Sequence, residues 1–508
     1  MARQRHDGTV MARNGRQADL LIHNATIIDG TGAPGFTGAV AIADDRIAWV
    51  GREAELGEIE AATVLDAGGR VLAPGFIDVH THDDSVLLSR GEMTPKVTQG
   101  VTTVIAGNCG VSLAPLALDS APPPPLDLLG GPETYRFPRF ADYVAALEAA
   151  PAAVNAALLV GHSTLRVGVM SELDRPATPG EIDRMKEHLD ESLAAGAIGF
   201  SSGLFYPPSA AAPADEVAAL LEPLAGTGAL YTTHMRDEGD HVEDSLEETF
   251  ETAARAGVPV VISHHKCTGR KNFGRSVATL ERIDAARTRQ DVGLDVYPYT
   301  AGSTVLLPEM LRGAERVIVT WSVPHPEQAG RDLDAVAAEW GCGLEEAARR
   351  LGPAGAIYFM MDEADVRRIL AYPHAMVGSD GLPLDKHPHP RLWGTFARVL
   401  GHYVREVGLL TLEEAVRRMT GLSAERFGLD GRGVIREGAF ADLVLFDPET
   451  IIDRATYEEP ARAAAGIGLV MVNGQIVLRD GAPSGARPGR LLRRAGPGKP
   501  PVQAEIPA

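Results

Sequence analysis

Two histidines stand two positions apart at the end of the apolar stretch "PGFIDVHTH", residues 74–82. Side chains at positions i and i+2 of an extended strand point to the same side, so the rings of His80 and His82 can approach one metal ion together. Further metal-binding side chains end other apolar stretches: Cys109, His234, His264 and Asp380. Nitrogen, sulfur and oxygen donors in this mixture suit Zn²⁺ better than Mg²⁺ or Ca²⁺, which prefer oxygen. The residues therefore predict a zinc site, provided that the fold brings these stretches together.

Eight stretches share one form, in which an apolar run ends abruptly in polar residues. They read "GFIDVHTH", "TTVIAGNC", "AALLVGHST", "AIGFSSG", "LYTTHMRDEG", "VPVVISHHK", "GLDVYPYT" and "AMVGSDG". Continuous apolar runs suit strands buried on both faces, and the segments between them carry helix signals, such as the N-cap Thr178 followed by Pro179 and Glu181. Repeated β/α units predict an α/β protein with a (β/α)8, or TIM, barrel over residues 74–429. That fold places its active site at the C-terminal ends of the strands, where the polar residues fall.

The two chain ends outside the barrel resemble parts of one small β domain. Residues 18–73 and 430–485 contain alternating runs bounded by Gly and Asp, which predict a small β-sandwich built from both ends. Residues 486–508 are rich in Pro, Gly and Arg, and predict a C-terminal wrapping arm or a disordered tail. Within the barrel, the long segment at about 301–362 predicts a lid-like insertion.

The composition limits the partners that we expect. A formal net charge of -20 would repel phosphate backbones, so a nucleic-acid partner is not expected. Apolar runs stay shorter than the roughly 18 residues of a membrane helix, and the first 20 residues lack an apolar signal segment. Cys109, Cys267 and Cys342 are too scattered for a disulfide framework. We therefore expect a cytoplasmic protein with a small-molecule substrate and no membrane partner, and the oligomeric state stays open.

Several stretches resemble the N-acyl-D-amino-acid deacylases, or D-aminoacylases, of the amidohydrolase superfamily. The resemblance spans nearly the whole chain and is carried by "GFIDVHTHDD", "GVTTVIAGNCGVSLAP", "GAIGFSSGLFYPP", "THMRDEG", "ISHHKCTGRKNFG", "DVYPYTAGST" and "VGSDG". It implies a barrel of the metal-dependent amidohydrolase type and a hydrolytic zinc site with ligands at His80, His82, Cys109, His234 and His264. Cys109 takes the place of the carboxylated lysine that bridges two metal ions in many amidohydrolases. These ligands permit one tightly bound zinc ion, or a pair of ions that share Cys109.

Asp380 is the candidate acid-base residue, and we also count it among the candidate metal ligands. A carboxylate at a strand end beside the metal can take a proton from water and pass it to the leaving nitrogen. The ordinary alternative is a turn aspartate in "SDG", and the family resemblance favours the catalytic role. Neighbouring residues on a strand point to opposite faces, and of the pair His264 and His265 we assign His264 to the metal. His162 either lines the pocket or fills the barrel core.

The resemblance also implies a cationic clamp for the α-carboxylate of the substrate. The candidate residues are Lys266, Tyr297, Ser303 and Arg391. An arginine fork pairs with a carboxylate bidentately, whereas a lysine and a phenol each add single bonds. Met310 and Arg312 lie in the insertion and are the candidates for a side-chain pocket.

The predicted function is zinc-dependent hydrolysis of an N-acyl-D-amino acid to a D-amino acid and a carboxylate. The apolar stretch "STVLLPEML" favours hydrophobic substrates such as derivatives of D-Leu, D-Met and D-Phe, whereas Arg312 would favour N-acyl-D-glutamate or N-acyl-D-aspartate. A cyclic amidase of the D-hydantoinase or dihydropyrimidinase type is the other alternative. Cys109 counts against it, because those enzymes normally use the carboxylated lysine. A non-enzymatic metal scaffold is disfavoured because all the expected ligands are present in the sequence.

Overall fold

Strands and helices alternate along most of the chain in the computed structural model, which describes residues 16–57 and 59–493. The strands of these residues are, in chain order, β1 (Arg16–Ile27), β2 (Phe36–Ala43), β3 (Arg46–Arg52), β4 (Ile59–Asp66), β5 (Val71–Pro74), β6 (Phe76–Asp78), β7 (Val101–Ala106), β8 (Leu116–Ala117), β9 (Arg136–Phe137), β10 (Asn155–Gly161), β11 (Gly199–Gly203), β12 (Leu230–His234), β13 (Val260–Ile262), β14 (Val292–Val296), β15 (Ala301–Val305), β16 (Arg316–Ser322), β17 (Ala354–Phe359), β18 (Ala375–Val377), β19 (Leu443–Phe446), β20 (Ile467–Val472), β21 (Gln475–Arg479) and β22 (Ala482–Pro483).

Helices connect the strands and cover the outside of the barrel. They are α1 (Val86–Ser89), α2 (Thr94–Val97), α3 (Phe140–Ala149), α4 (His162–Val169), α5 (Pro179–Ala194), α6 (Pro207–Ala210), α7 (Ala214–Leu221), α8 (Val242–Ala256), α9 (Ser276–Arg287), α10 (Leu333–Trp340), α11 (Leu344–Leu351), α12 (Glu363–Ala371), α13 (Arg391–Arg398), α14 (Leu412–Met419) and α15 (Gly421–Phe427). The start of α5 confirms the sequence prediction, because the Thr178 side chain accepts a hydrogen bond from the Glu181 backbone and Glu181 returns one.

Among the described residues, eight parallel strands form the sheet that positions the site, in the order β18-β14-β13-β12-β11-β10-β7-β6. A parallel bridge between Thr81 and Gly381 joins the two edges just beyond β6 and β18, so the sheet closes into a barrel. Each of the eight predicted apolar runs supplies one of these strands. The predicted (β/α)8 barrel is therefore confirmed, and the polar ends of its strands meet at one mouth.

Both chain ends build the second sheet, as the sequence predicts. Within the described part of the chain this sheet has nine strands, in the order β22-β21-β20-β19-β5-β1-β2-β3, with β4 also paired to β1. A buried polar network fastens the sheet to the barrel. Asp442 accepts hydrogen bonds from Arg432, from the Asn473 backbone and from Asn155, which is the first residue of barrel strand β10. The small domain is thus held against the N-terminal end of the barrel, opposite the mouth.

The predicted lid-like insertion at 301–362 has a fold of its own. Strands β15, β17 and β16 form an antiparallel sheet, and helices α10 and α11 connect β16 to β17. The Tyr206 hydroxyl, on the barrel side, lies 2.8 Å from the Thr304 hydroxyl of β15. The insertion therefore forms one wall of the cavity at the barrel mouth.

The first part of the predicted C-terminal arm lies along the barrel. The backbone of Gly489 donates to the Ala152 carbonyl, and that of Leu492 donates to the Ala156 carbonyl. The remainder of the predicted arm, residues 494–508, lies outside the described residues, as do residues 1–15. Over the described ranges, the structure contains no helix with the length and apolar character needed to cross a membrane.

Candidate metal centre and substrate cavity

Sharp backbone turns at the strand ends direct several metal-binding side chains into the barrel mouth. Cys109, His264 and Asp380 have φ angles of 53°, 34° and 49°. Residues other than glycine seldom adopt this left-handed region, and each such residue costs roughly 1–3 kcal/mol of backbone strain. Strain of this kind persists only where the surrounding structure imposes it, and it concentrates at functional sites.

The donor atoms form two groups that share one thiol. One group contains His80, His82, Cys109 and Asp380, and the other contains Cys109, His234 and His264. Within each group the donor atoms lie within 4.8 Å of one another. The Cys109 Sγ atom is 3.1 Å from His80 Nε2 and 3.3 Å from His264 Nε2. Cys109 is therefore the point at which the two groups meet.

The electrostatics of the centre favour ionised sulfur and oxygen donors. Burial alone raises the pKa of the Cys109 thiol, but the His80 and His264 imidazoles lower it more strongly, so its net pKa lies well below the ordinary value. Burial likewise raises the pKa of Asp380, but the Arg391 guanidinium and the His264 imidazole outweigh it, and the net pKa is again well below the ordinary value. The thiolate and the carboxylate are the forms that bind a metal cation.

The donor set of this centre fits a zinc ion. Imidazole nitrogen, thiolate sulfur and carboxylate oxygen are the ligands that zinc takes in proteins, typically four at a time. All six residues are buried, so they are shielded from competing water. The Nδ1 atom of His234 is buried without a hydrogen-bond partner among the described residues, which leaves it free to bind an ion.

Two carboxylates orient the ligand rings, Asp295, which is buried, and Glu238, which is partly buried, and neither was assigned from the sequence. Asp295 Oδ2 lies 3.3 Å from His80 Nδ1, and Asp295 Oδ1 accepts a 2.9 Å hydrogen bond from the His264 backbone. Glu238 Oε1 lies 3.0 Å from His264 Nδ1 and 2.7 Å from Lys266 Nζ. Carboxylates commonly fix the tautomer of ligating histidines in this way. The sequence signal was a lone carboxylate within the apolar strand of "GLDVYP", and a glutamate four residues after His234.

A cavity of about 560 Å³ opens onto the centre, and this volume suits a small molecule. The predicted site residues that line it are His82, Cys109, His234, His264, Lys266, Tyr297, Ser303, Met310, Arg312, Asp380 and Arg391. His80 is fully buried behind them. The structure therefore brings every residue of the predicted set except His80 to a single cavity, and His80 joins them through its contact with Cys109.

Arg391 is the central cation of one cavity wall. Its Nη1 atom lies 2.9 Å from Asp380 Oδ2, and its Nη2 atom donates a 2.9 Å hydrogen bond to the Ser303 carbonyl. The guanidinium lies 4.7 Å from the centre of the Tyr297 ring. Its Nε atom has no hydrogen-bond partner within the part of the chain that the structure describes, although the side chain is fully buried. A guanidinium that keeps an unused donor beside a cavity is ready to bind an anion.

The remaining predicted residues lie in different surroundings. His265 faces away from the centre, with Nε2 2.8 Å from the Thr279 hydroxyl, and burial lowers its pKa to about 4. His162 lies 3.1 Å from a Glu216 oxygen in a buried network that also includes Arg166. Arg312 stands at the exposed rim of the cavity, 3.5 Å from Glu345.

A barrel with this mixed donor set at its mouth is typical of metal-dependent hydrolases, and comparison with known proteins identifies the family. The sequence profile of the Amidohydrolase family matches residues 63–478. The chain therefore belongs to the amidohydrolase family.

Its relatives within the family include D-aminoacylase and N-acyl-D-amino-acid deacylases of other specificity. It is 56% identical over 476 residues to D-aminoacylase from Alcaligenes xylosoxydans xylosoxydans, covering 94% of this chain and 98% of the relative. It is 52% identical over 478 residues to N-acyl-D-aspartate deacylase from the same organism, covering 94% and 95%. The solved N-acyl-D-glutamate deacylase of Bordetella bronchiseptica, complexed with zinc and a phosphonate mimic of the tetrahedral intermediate, superposes with a TM-score of 0.91 at 48% identity, covering 94% of this chain and 100% of that chain.

The shared thiolate predicts the effect of removing Cys109. We expect the wild-type protein to retain zinc after dialysis and Cys109→Ala to retain almost none, because both donor groups lose their common ligand. Zinc per chain is measured by mass spectrometry, and circular dichroism checks that the barrel is still folded. Cys267→Ala, which changes a buried cysteine outside both donor groups, is the matched control and should keep its zinc. Full zinc occupancy in a folded Cys109→Ala protein would contradict the assignment.

Proposed function

We propose that this chain is a zinc-dependent amidohydrolase that cleaves N-acyl-D-amino acids to a D-amino acid and a carboxylate. The observation that carries the proposal is one cavity that joins a metal-binding centre to a buried arginine with an unused donor. An N-acyl-amino acid has a matching pair of groups, an amide for the centre and an α-carboxylate for the arginine. The 56% identity to D-aminoacylase supports the same activity and the D configuration.

The residues that would hold zinc are those of the two donor groups described above. One tightly held ion is proposed, and a second ion that shares Cys109 is compatible with the same ligands. When bound, zinc would polarise the amide carbonyl and lower the pKa of water from 15.7 to about 7. The chain itself supplies the shielding of the centre, the general base and the substrate clamp.

Asp380 is the proposed general base and general acid. Its carboxylate lines the cavity and is held between His82 Nε2, 3.1 Å away, and Arg391 Nη1, 2.9 Å away. The net pKa of Asp380 lies below its ordinary value, so the carboxylate is ionised at neutral pH. An ionised carboxylate in this position is a group that can take a proton from the attacking water. It then delivers that proton to the departing amine nitrogen, so the leaving group departs as a neutral amine.

The α-carboxylate of the substrate is proposed to bind Arg391, with help from nearby polar groups. The Lys266 ammonium lies 5.6 Å and the Arg391 guanidinium 4.7 Å from the centre of the Tyr297 ring, so the two cations flank one phenol. The Ser303 hydroxyl is buried and has no hydrogen-bond partner among the residues described. A carboxylate fixed here and a carbonyl fixed at the centre leave one direction for the substrate side chain, which gives a basis for handedness.

The apolar cavity wall beside the insertion supports a preference for substrates with a hydrophobic D-amino-acid side chain. Met310, Tyr358 and Met360, all from or beside the insertion, line the cavity. The alternative is a substrate with an acidic side chain, and two cations at the rim of the cavity favour this alternative. Arg312 and Lys271 stand at the exposed rim of the same cavity and could pair with a second carboxylate.

A cytoplasmic location also belongs to the proposal. Cys109 acts as a thiolate in this account, and a reducing compartment keeps thiols free. The expected partner is the small-molecule substrate.

A substrate panel tests the proposed activity and its specificity. Purified protein loaded with zinc should release the D-amino acid from N-acetyl-D-leucine, N-acetyl-D-methionine and N-acetyl-D-phenylalanine, and should leave the N-acetyl-L-amino acids and hydantoins intact. A higher kcat/KM for N-acetyl-D-glutamate or N-acetyl-D-aspartate would select the acidic alternative. Turnover of hydantoins without turnover of the linear amides would overturn the proposal.

The same assay with Asp380→Asn shows whether the activity belongs to this site. Asparagine keeps the size of the side chain but cannot accept the proton, so kcat should fall by at least about 10²-fold. Asp385→Asn, which changes a carboxyl in the loop beyond the same strand, is the matched control and should keep most of the activity.

Charged and neutral substrates distinguish two roles of Arg391, which are binding of the substrate carboxylate and support of Asp380. Arg391→Ala should slow all substrates, because Asp380 loses its partner, but it should lower kcat/KM for N-acetyl-D-methionine at least about tenfold more than for the corresponding amide or methyl ester. The neutral substrates lack the carboxylate that the guanidinium binds. Equal losses on the charged and neutral substrates would assign Arg391 to the support of Asp380 alone.

A further inference from the structure

A lysine is buried beneath the metal centre, where the first and last strands of the barrel meet. Lys96, in the short helix α2, is 1% exposed. Its Nζ atom donates a 2.8 Å hydrogen bond to Asp78 Oδ2 and a 2.9 Å bond to the Ser379 hydroxyl, and lies 3.2 Å from Asp83 Oδ2. These four residues, Lys96, Asp78, Asp83 and Ser379, are called the lysine cluster below.

The Lys96 ammonium keeps its positive charge in spite of its burial. Burial lowers the pKa of the Lys96 amine, but the Asp78 and Asp83 carboxylates raise it further, and the net pKa lies above the ordinary value. A buried ammonium is stable only when it is paired and hydrogen-bonded. Because Lys96 lies under the barrel mouth, its hydrogen-bond partners must stay close to its ammonium group.

The lysine cluster holds the backbone on both sides of Asp380. Asp78 Oδ1 accepts a 2.7 Å hydrogen bond from the Ser379 backbone, and the Ser379 hydroxyl accepts a 3.2 Å bond from the Gly381 backbone. Between them, the Asp380 backbone donates a 2.8 Å bond to the carbonyl of His80. The residues before and after Asp380 are thus tied to the strand that carries His80 and His82.

We infer that Lys96 is a positioning residue. It holds Ser379 against the end of β6, so that the Asp380 carboxylate keeps its place beside His82 and Arg391. Lys96 touches neither the cavity nor the donor atoms, and it acts through Ser379. The kinetic part of this inference rests on the proposed function, whereas its structural part concerns the geometry of the donor group alone.

A charge-balanced variant separates positioning from simple charge pairing. Lys96→Met alone would leave two carboxylates facing each other in a buried site. Lys96→Met combined with Asp83→Asn removes one positive and one negative charge together, so it keeps the net charge but loses the hydrogen bond to Ser379. Ser379→Ala removes the link from the other side without changing any charge, which provides a second variant if the first fails to fold.

Two readouts are measured on each variant. The visible spectrum of the cobalt-substituted protein reports the coordination geometry of the donor group, and steady-state kinetics on N-acetyl-D-methionine separate kcat from KM. Both variants should show an altered cobalt spectrum and a kcat reduced at least about tenfold, with KM within about threefold of wild type, because a displaced general base slows chemistry more than binding.

Matched controls carry equivalent changes outside the lysine cluster. Lys186→Met combined with Glu222→Gln removes one positive and one negative charge from an ion pair at the outer surface of α5. Ser192→Ala removes a buried hydroxyl that donates to the His188 carbonyl of the same helix. Both should keep the wild-type spectrum and kcat.

A wild-type cobalt spectrum together with a wild-type kcat in the folded variants would overturn the inference, even if the melting temperature falls, because Lys96 would then serve stability alone. The cobalt spectrum also separates this inference from the proposed function. If the wild-type protein hydrolyses none of the N-acyl-D-amino acids, the proposed activity fails, while an altered spectrum in the variants would still support the positioning role.

Discussion

The structure depends on one buried thiolate that two groups of metal-binding side chains share. Cys109 Sγ lies 3.1 Å from the His80 ring and 3.3 Å from the His264 ring, and it belongs to both donor groups. A buried anion of this kind requires positive charge close by, which imidazolium groups or a metal ion can provide. Strands that are far apart in the sequence must therefore end at the same point, and the closed barrel is the fold that satisfies this requirement.

Two carboxylates, one at the end of β6 and one in the turn that follows it, hold the loops that carry other ligands. Asp84 accepts hydrogen bonds from the backbones of Gly107, at 3.2 Å, and Leu113, at 3.3 Å, which bracket Cys109 in the chain. Asp78 does the same for the loop of Asp380 through the Ser379 backbone. The motif "DVHTHDD" thus supplies metal-binding histidines and, from the residues around them, the supports for two neighbouring strand ends. The left-handed φ angles of Cys109 and Asp380 are tolerated because these contacts hold the backbone in place.

The barrel and its donor set could be predicted from the sequence because their signals are local. An apolar run that ends in polar residues predicts both a strand and the edge at which its last side chain lies. Asp295, Glu238 and Lys96 could not be assigned in this way, because their roles depend on the register between strands and on which side chains meet across the barrel. The long insertion was predicted from its length alone, and its three-stranded sheet arises from pairings between residues far apart in the sequence, such as Ala301 with Phe359, 58 positions away.

X-ray absorption at the zinc edge of the wild-type protein shows whether Cys109 binds the metal, since it reports the atoms bound to zinc without any substitution. Ligation by Cys109 predicts a sulfur neighbour at about 2.3 Å, together with nitrogen and oxygen neighbours at about 2.0–2.2 Å. It also predicts that this sulfur contribution persists when the protein holds either one or two zinc ions, because both donor groups contain Cys109. A zinc-loaded protein whose spectrum requires only nitrogen and oxygen neighbours would show that Cys109 is not a ligand.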